Sequence, residues 1–319
     1  MVLRSLMAVT FVSALAIPAV AAPVGFGLGD SITFGETDLQ YIPSFGDRGY
    51  VGRYADIVDS RNGDEARPLV VNTAIDGETA ESFFDGTGRT PPVVGRTDIP
   101  LASQNLNYET DPTTPQAVKF QSLLSEQRAA GNEAAFVTLT LGFNELAALT
   151  ILPEDEALAQ IDPTLAAYRA NYIDVVSLVR ASAPEADLYL LNYFNPFPAD
   201  PTENTADAVF GIAGPRLNDI IREVAENFGA TYVDVASAFA GREAELTFID
   251  EFPAGSTVPT PHPFGPGTAP IGNVHPNADG YQVIADQIAA AEEVPEPAML
   301  GLMAFGLLGI SLVRYRNIS

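Results

Sequence analysis

The sequence predicts an α/β protein: a three-layer α/β/α sandwich around a mostly parallel five-stranded sheet. Three observations carry this expectation. Short apolar runs alternate with amphipathic segments from Pro23 to about Glu293, the pattern of strands joined by helical crossovers. An apolar share of 47% in 319 residues is ample for a buried core. Cysteine is absent, which excludes disulfides, thiolate metal sites and a cysteine nucleophile, so packing alone must hold the fold.

Val24–Leu28 is the first strand candidate, weakened in propensity by Gly25 and Gly27. Pro68–Thr73, Ala134–Leu141, Ala186–Tyr193 and Ala230–Val235 supply the other four. Tyr50–Val58 reads as a helix because Val51, Tyr54 and Val58 share one face at helical spacing. Further helices are expected over Gln116–Ala130, Pro163–Ala183 and Gly214–Phe228, the last stopped by Gly229. A closing helix spans Ala278–Ala291, with Asn277 placed to cap it. Two stretches lack periodicity, Phe83–Pro115 and Phe252–Gly272, the second with six prolines. Loops of this length either shape a binding site or are excursions, and in a doubly wound sheet ligands bind beyond the carboxyl ends of the strands.

Both ends of the chain read as address labels. Arg4, the apolar stretch Leu6–Ile17, Pro18 and the small-residue pattern Ala19-Val20-Ala21 make residues 1–21 a secretory signal peptide. Val294-Pro295-Glu296-Pro297 precedes an apolar run, Ala298–Val313, and then Arg314, Tyr315 and Arg316. That run is long enough to enter the inner membrane transiently through residues 298–313, with the arginines on the cytoplasmic side. The motif, apolar helix and basic tail of residues 294–319 resemble a PEP-CTERM sorting signal of Gram-negative bacteria. The resemblance implies an exosortase-type processing enzyme as a partner. It also implies export across the inner membrane to the cell surface, the extracellular matrix or the medium, or a membrane anchor if the tail is retained. Residues 22–293 remain as the folded domain.

With 41 acidic against 16 basic side chains and a net charge of −25, the chain repels nucleic acid and anionic lipid. A neutral glycan or ester is compatible with that field. No histidine–carboxylate cluster has zinc spacing and no EF-hand loop is present, so neither a metal site nor a cofactor is expected.

Chemistry-bearing residues sit at element edges. Gly29-Asp30-Ser31-Ile32 follows the first strand, which exposes the Ser31 hydroxyl and its backbone N–H at the functional edge of the sheet. Gly142-Phe143-Asn144-Glu145 closes the third strand, and His275-Pro276-Asn277 opens the last helix. A serine hydroxyl is a poor nucleophile until an imidazole takes its proton. Of the two histidines, His262 lies between Pro261 and Pro263 in a loop, which leaves His275 as the base.

Together with Asn72-Thr73-Ala74-Ile75-Asp76-Gly77, these blocks resemble the SGNH hydrolases, also called GDSL esterases and lipases. The resemblance implies their flavodoxin-like fold, with Ser31 as nucleophile and His275 as general base. It also implies an oxyanion hole of the Ser31 and Gly77 N–H groups and the Asn144 amide. An ester or acylated-glycan substrate would be hydrolysed through an acyl-enzyme.

Two positions depart from the family pattern. Glu145 stands where an aspartate is common, which changes the support of the loop rather than the donor. Gly272 stands three residues before His275, where the family places the acid of the triad. Replacing that acid by a neutral amide costs roughly 10⁴ in rate in a well-studied triad. Asp250, Glu251 and Asn273 are the nearby candidates for holding the imidazole. The alternative reading is a weak or inactive member of the same fold that binds glycans in an extracellular matrix.

Overall fold

The computed structural model describes residues 21–35, 38, 48–63, 67–86, 114–197, 205–248 and 274–292. The strands are β1 (Pro23–Gly29), β2 (Leu69–Asn72), β3 (Glu133–Thr140), β4 (Asp187–Leu191) and β5 (Thr231–Val233). The helices are α1 (Ser31–Phe34), α2 (Gly49–Asn62), α3 (Ser82–Asp85), α4 (Gln116–Ala129), α5 (Phe143–Ala147), α6 (Glu154–Ser182), α7 (Thr205–Phe228), α8 (Val235–Phe239), α9 (Glu243–Leu246) and α10 (Ala278–Glu292). All strands are parallel, in the order β2-β1-β3-β4-β5. Helices α2 and α10 pack together on one face, and α4, α6 and α7 cover the other. This is a doubly wound sheet whose strand order reverses between β1 and β3, so the crevice between their carboxyl ends is the expected ligand site.

The glycines that weaken β1 as a propensity reading are what its central position requires. A Cβ on Gly25 would lie 2.0 Å from the Phe136 ring, and one on Gly27 would press on Val51 and Thr33. Phe136 in turn meets Tyr54 of α2 edge to face at 4.8 Å. The glycines admit these side chains against the strand backbone, and packing then outweighs the propensity cost.

Two helix starts differ from expectation. Helix α6 begins at Glu154 rather than Pro163, and α7 at Thr205 rather than Gly214, so Pro163 and Pro215 lie inside helices. Ala157, Ile161, Leu165, Tyr168 and Tyr172 form one buried stripe through Pro163, and Glu154, Asp155 and Glu156 favour the helix start electrostatically. In α7 the stripe is Ala206, Val209, Phe210, Ala213, Leu217 and Ile221. Gly211 and Gly214 stand four and one residues before Pro215, where the proline ring crowds its neighbours most. A proline costs about 3 kcal/mol in a helix interior, less than several buried apolar side chains return at roughly 1.5–3 kcal/mol each. Gly229 ends α7 with φ +56°, and the Asn277 side chain accepts the Gly280 N–H at 3.0 Å at the start of α10.

No helix among the described residues is long and apolar enough to cross a membrane. The expected signal peptide of residues 1–21, apart from Ala21, lies outside the described residues, as do the apolar run 298–313, most of the segment Phe83–Pro115 and all of Phe252–Gly272.

Candidate active site

The site assembles at the β1/β3 crevice. Gly29 ends β1 with φ +131°, and a Cβ there would fall 2.0 Å from the Thr140 carbonyl oxygen, so only glycine fits. Its exposed backbone is held by a side chain: Gly29 N–H donates to Gln116 Oε1 at 2.6 Å, and Gln116 Nε2 donates to the Gly29 carbonyl at 2.9 Å. The chain then turns into α1, with Asp30 accepting the Ile32 N–H at 3.1 Å as its cap. Ser31 is the first residue of this turn, where a helix offers its N–H no carbonyl partner.

Asp30, the residue before the serine, is fully buried. Thr140 Oγ1 donates to its Oδ1 at 3.1 Å and Tyr193 Oη to its Oδ2 at 2.6 Å. Thr140 also continues through Thr33 to Tyr50 and Thr138 in a buried hydroxyl chain. Burial pushes the Asp30 carboxyl up to about 6, against the bonds from Tyr193, Ile32 and Thr140 and the nearby His275 charge, which pull it down.

His275 Nε2 lies 2.8 Å from Ser31 Oγ. The imidazole's backbone is fixed against α9: Phe248 N–H donates to the His275 carbonyl at 3.1 Å, and Asn277 N–H to the Leu246 carbonyl at 2.9 Å. A Cβ on Gly280 would sit 2.2 Å from the Leu246 carbonyl oxygen. That glycine is therefore what lets α10 approach α9 closely enough to deliver the histidine. Asp250, Glu251, His262, Gly272 and Asn273 lie outside the described residues.

The remaining candidates are joined by two hydrogen bonds. Gly77 turns with φ +75°, and the chain after β2 continues along β1, with Ile75 N–H donating to the Gly29 carbonyl at 3.0 Å. Asn144 Nδ2 donates to the Glu78 carbonyl at 2.9 Å, while Ala80 N–H donates to Glu145 Oε1 at 2.7 Å. Adjacent side chains on α5 thus clamp the turn that carries Gly77. Glu78 is fully buried, and its Oε2 accepts from Gln116 at 2.9 Å. Glu145 Oε2 has almost no accessible surface and no hydrogen-bond partner among the described residues. Burial drives its carboxyl up to about 7, with the Asp30 and Glu78 charges adding to the rise and the Ala80 N–H opposing it. Among the described residues no group of three or more His, Asp or Glu side chains is arranged to hold a metal.

Beside this crevice, at the carboxyl ends of β4 and β5, a cleft of about 380 Å³ opens. Its inner wall includes Phe143, which precedes Asn144, and Tyr193, which bonds Asp30. The sequence reading singled out none of Asp30, Gln116, Glu78 and Tyr193 for a role at the site. Gln116 and Tyr193 carried no local signal, since each matters only through residues distant in the chain. Asp30 belonged to the first block but was given no role there.

The GDSL-like lipase/acylhydrolase family profile matches residues 28–283, and the chain belongs to that family. The PEP-CTERM protein-sorting motif matches residues 293–316. Solved structures of similar fold include phospholipase A1 from Streptomyces albidoflavus NA297, 18% identical, covering 85% of this chain and 100% of its own, with a TM-score of 0.50. The lipase Lip_vut3 from a goat rumen metagenome is 18% identical over 85% of this chain and 97% of its own, at 0.51. An extracellular lipase from Streptomyces rimosus is 18% identical over 85% and 100%, at 0.50. No curated protein matches the chain.

Proposed function

We propose that the protein is an exported serine esterase that hydrolyses carboxylic esters, of a short-chain lipid or an O-acetylated glycan, through an acyl-enzyme on Ser31. The observation that carries this reading is the 2.8 Å hydrogen bond between Ser31 Oγ and His275 Nε2. As Oγ attacks the ester carbonyl, His275 takes its proton. The tetrahedral oxyanion is held by the N–H groups of Ser31 and Gly77 and by the Asn144 amide. Collapse expels the alcohol, which receives the proton from His275. Water, deprotonated by the same imidazole, then attacks the acyl-enzyme, and the second collapse releases the acid and restores Ser31. Asp30, the buried residue before the nucleophile, is bonded by Tyr193 and supplies negative charge near the imidazolium formed in each step.

Residues 1–21 act as the export signal, 22–293 as the catalytic domain and 294–319 as the sorting segment, which an exosortase-type enzyme processes at the inner membrane. Placement at the cell surface or beyond follows from this arrangement. The test is to express the full chain and expose it to a short-chain nitrophenyl ester and a fluorophosphonate probe. Turnover, with labelling lost in Ser31→Ala, is expected. A parent inert to both reagents removes the esterase reading and leaves the glycan-binding one.

A further inference from the structure

We propose that Gln116 is a positioning residue for the oxyanion hole: its one side-chain amide ties the turn that carries Gly77 to the strand end that carries Ser31, and so sets the spacing of two donors. The proposal rests on the esterase reading and deepens it.

The first ground is geometry. The pairing of β1 with β2 ends at Gly27 and Asn72, so Gly29 has no strand partner in β2. The Gln116 amide takes that place: Oε1 accepts the Gly29 N–H at 2.6 Å and Nε2 donates to the Gly29 carbonyl at 2.9 Å. The same nitrogen donates to Glu78 Oε2 at 2.9 Å. Glu78 follows Gly77 directly in the chain, and its carbonyl accepts the Asn144 amide at 2.9 Å. One planar amide thus spans from the end of the nucleophile's strand to the turn beside Asn144. The segments that carry Ser31, Gly77 and Asn144 are distant in sequence, and this bridge holds them in one register.

The second ground is burial and the choice of side chain. Gln116 and Glu78 are both fully buried, so water does not compete for these bonds and their geometry is held. Gln116 is the first residue of α4, and that helix start has no side-chain cap, so the amide serves no local need of the helix. A leucine would fill similar space without the cost of burying an amide, yet it could not join two segments. An oxyanion hole lowers the barrier only when its donors stand where the charge develops, and a misplacement of about 1 Å can cost roughly 10² in rate. Acylation and deacylation both pass through the oxyanion. Loosening the bridge therefore slows both steps together, which lowers kcat and changes KM little.

Three variants of the full chain test the bridge. Gln116→Leu removes all three bonds. Gln116→Glu keeps an acceptor for the Gly29 N–H but sets a second carboxylate against Glu78. Gln116→Glu combined with Glu78→Gln restores the bridge in the opposite direction, with the amide at position 78 as donor. Leu124→Ala, on the buried face of the same helix, disturbs α4 without touching the bridge and serves as the control. Urea midpoints and initial rates on nitrophenyl acetate are measured for each. In both single variants at position 116, kcat should fall roughly 10²-fold with KM within about twofold of the parent. The double variant should recover about tenfold or more over Gln116→Glu, and Leu124→Ala should lose stability with kcat within about twofold of the parent. A destabilised Gln116→Leu that keeps the parent's kcat overturns the proposal and leaves Gln116 a purely structural residue. A double variant no faster than Gln116→Glu, or an equal kcat loss in Leu124→Ala, overturns it as well. If Gln116→Leu fails to fold, Gln116→Glu and the double variant decide by the same criteria. A parent inert to nitrophenyl acetate and to a fluorophosphonate probe overturns the esterase reading and this proposal with it, whereas an active parent indifferent to position 116 overturns this proposal alone.

Discussion

The carboxyl ends of β1 and β3 and those of β4 and β5 form adjacent parts of one sheet edge, yet they handle polar groups in opposite ways. At β1/β3 the polar side chains Asp30, Thr140, Glu78 and Gln116 are buried and bonded to one another or to backbone. At β4/β5 the polar groups Asp219, Arg222, Asp234 and Ser237 are exposed around an open cleft. Buried hydrogen bonds are costly to break and so fix geometry. Exposed ones exchange readily with water or a ligand. The first region suits a reaction that needs fixed donors, and the second is under no such constraint.

The contrast orders the expected effects of substitution. Ser31→Ala and His275→Ala should each lower kcat on a nitrophenyl ester on the order of 10⁴-fold or more; residual activity within tenfold of the parent would move the chemistry elsewhere. Asn144→Ala removes the proposed oxyanion donor and the bond to the Glu78 carbonyl. A loss of roughly 10² to 10³ in kcat with KM little changed is expected, and a pure KM effect would contradict the assignment.

Glu145 offers a pH test of how dry this region is. Its carboxyl rises from 4.5 to about 7 on folding, so the folded state resists its ionisation. Below the unfolded value the group is neutral in both states and costs nothing. As pH climbs toward 7 the parent loses stability that Glu145→Gln, which cannot ionise, retains. The stability difference between variant and parent should therefore grow by about 3 kcal/mol across that interval in urea unfolding. A constant difference would mean that the carboxyl is not desolvated.

Tyr193→Phe leaves Asp30 Oδ2 without its 2.6 Å donor and should destabilise the fold by about 1–3 kcal/mol. By contrast, Arg222→Ala at the cleft breaks exposed contacts, the pair with Asp219 and the stacking over the Tyr232 ring. It should move stability by no more than about 0.5 kcal/mol. Comparable losses in the two variants would erase the distinction between the regions.

Much of the fold was legible because local pattern and tertiary demand agree. All five expected strands form, with ends shifted by a few residues at most. The expected starts, Pro163 for α6 and Gly214 for α7, fell too late because the buried stripes carry each helix through its proline. Gly25 and Gly27 looked like weaknesses because the ring and methyl groups that fill their space come from Phe136, Val51 and Thr33. Ser31 and His275 were visible as edge residues. Gln116, which clamps Gly29 from the start of α4, had nothing local to mark it.

The amino-acid sequence by itself determined the α/β alternation, the acidic and cysteine-free character, the sorting motif and the residue types needed for acyl transfer. These follow from composition and short-range spacing. Tertiary structure alone decided that Ser31 and His275 lie at hydrogen-bond distance, that Glu145 clamps the Gly77 turn and that a cleft opens beyond Phe143 and Tyr193. Each of those depends on how sheet register and helix packing sum over the whole domain, and no segment of the chain encodes that sum alone.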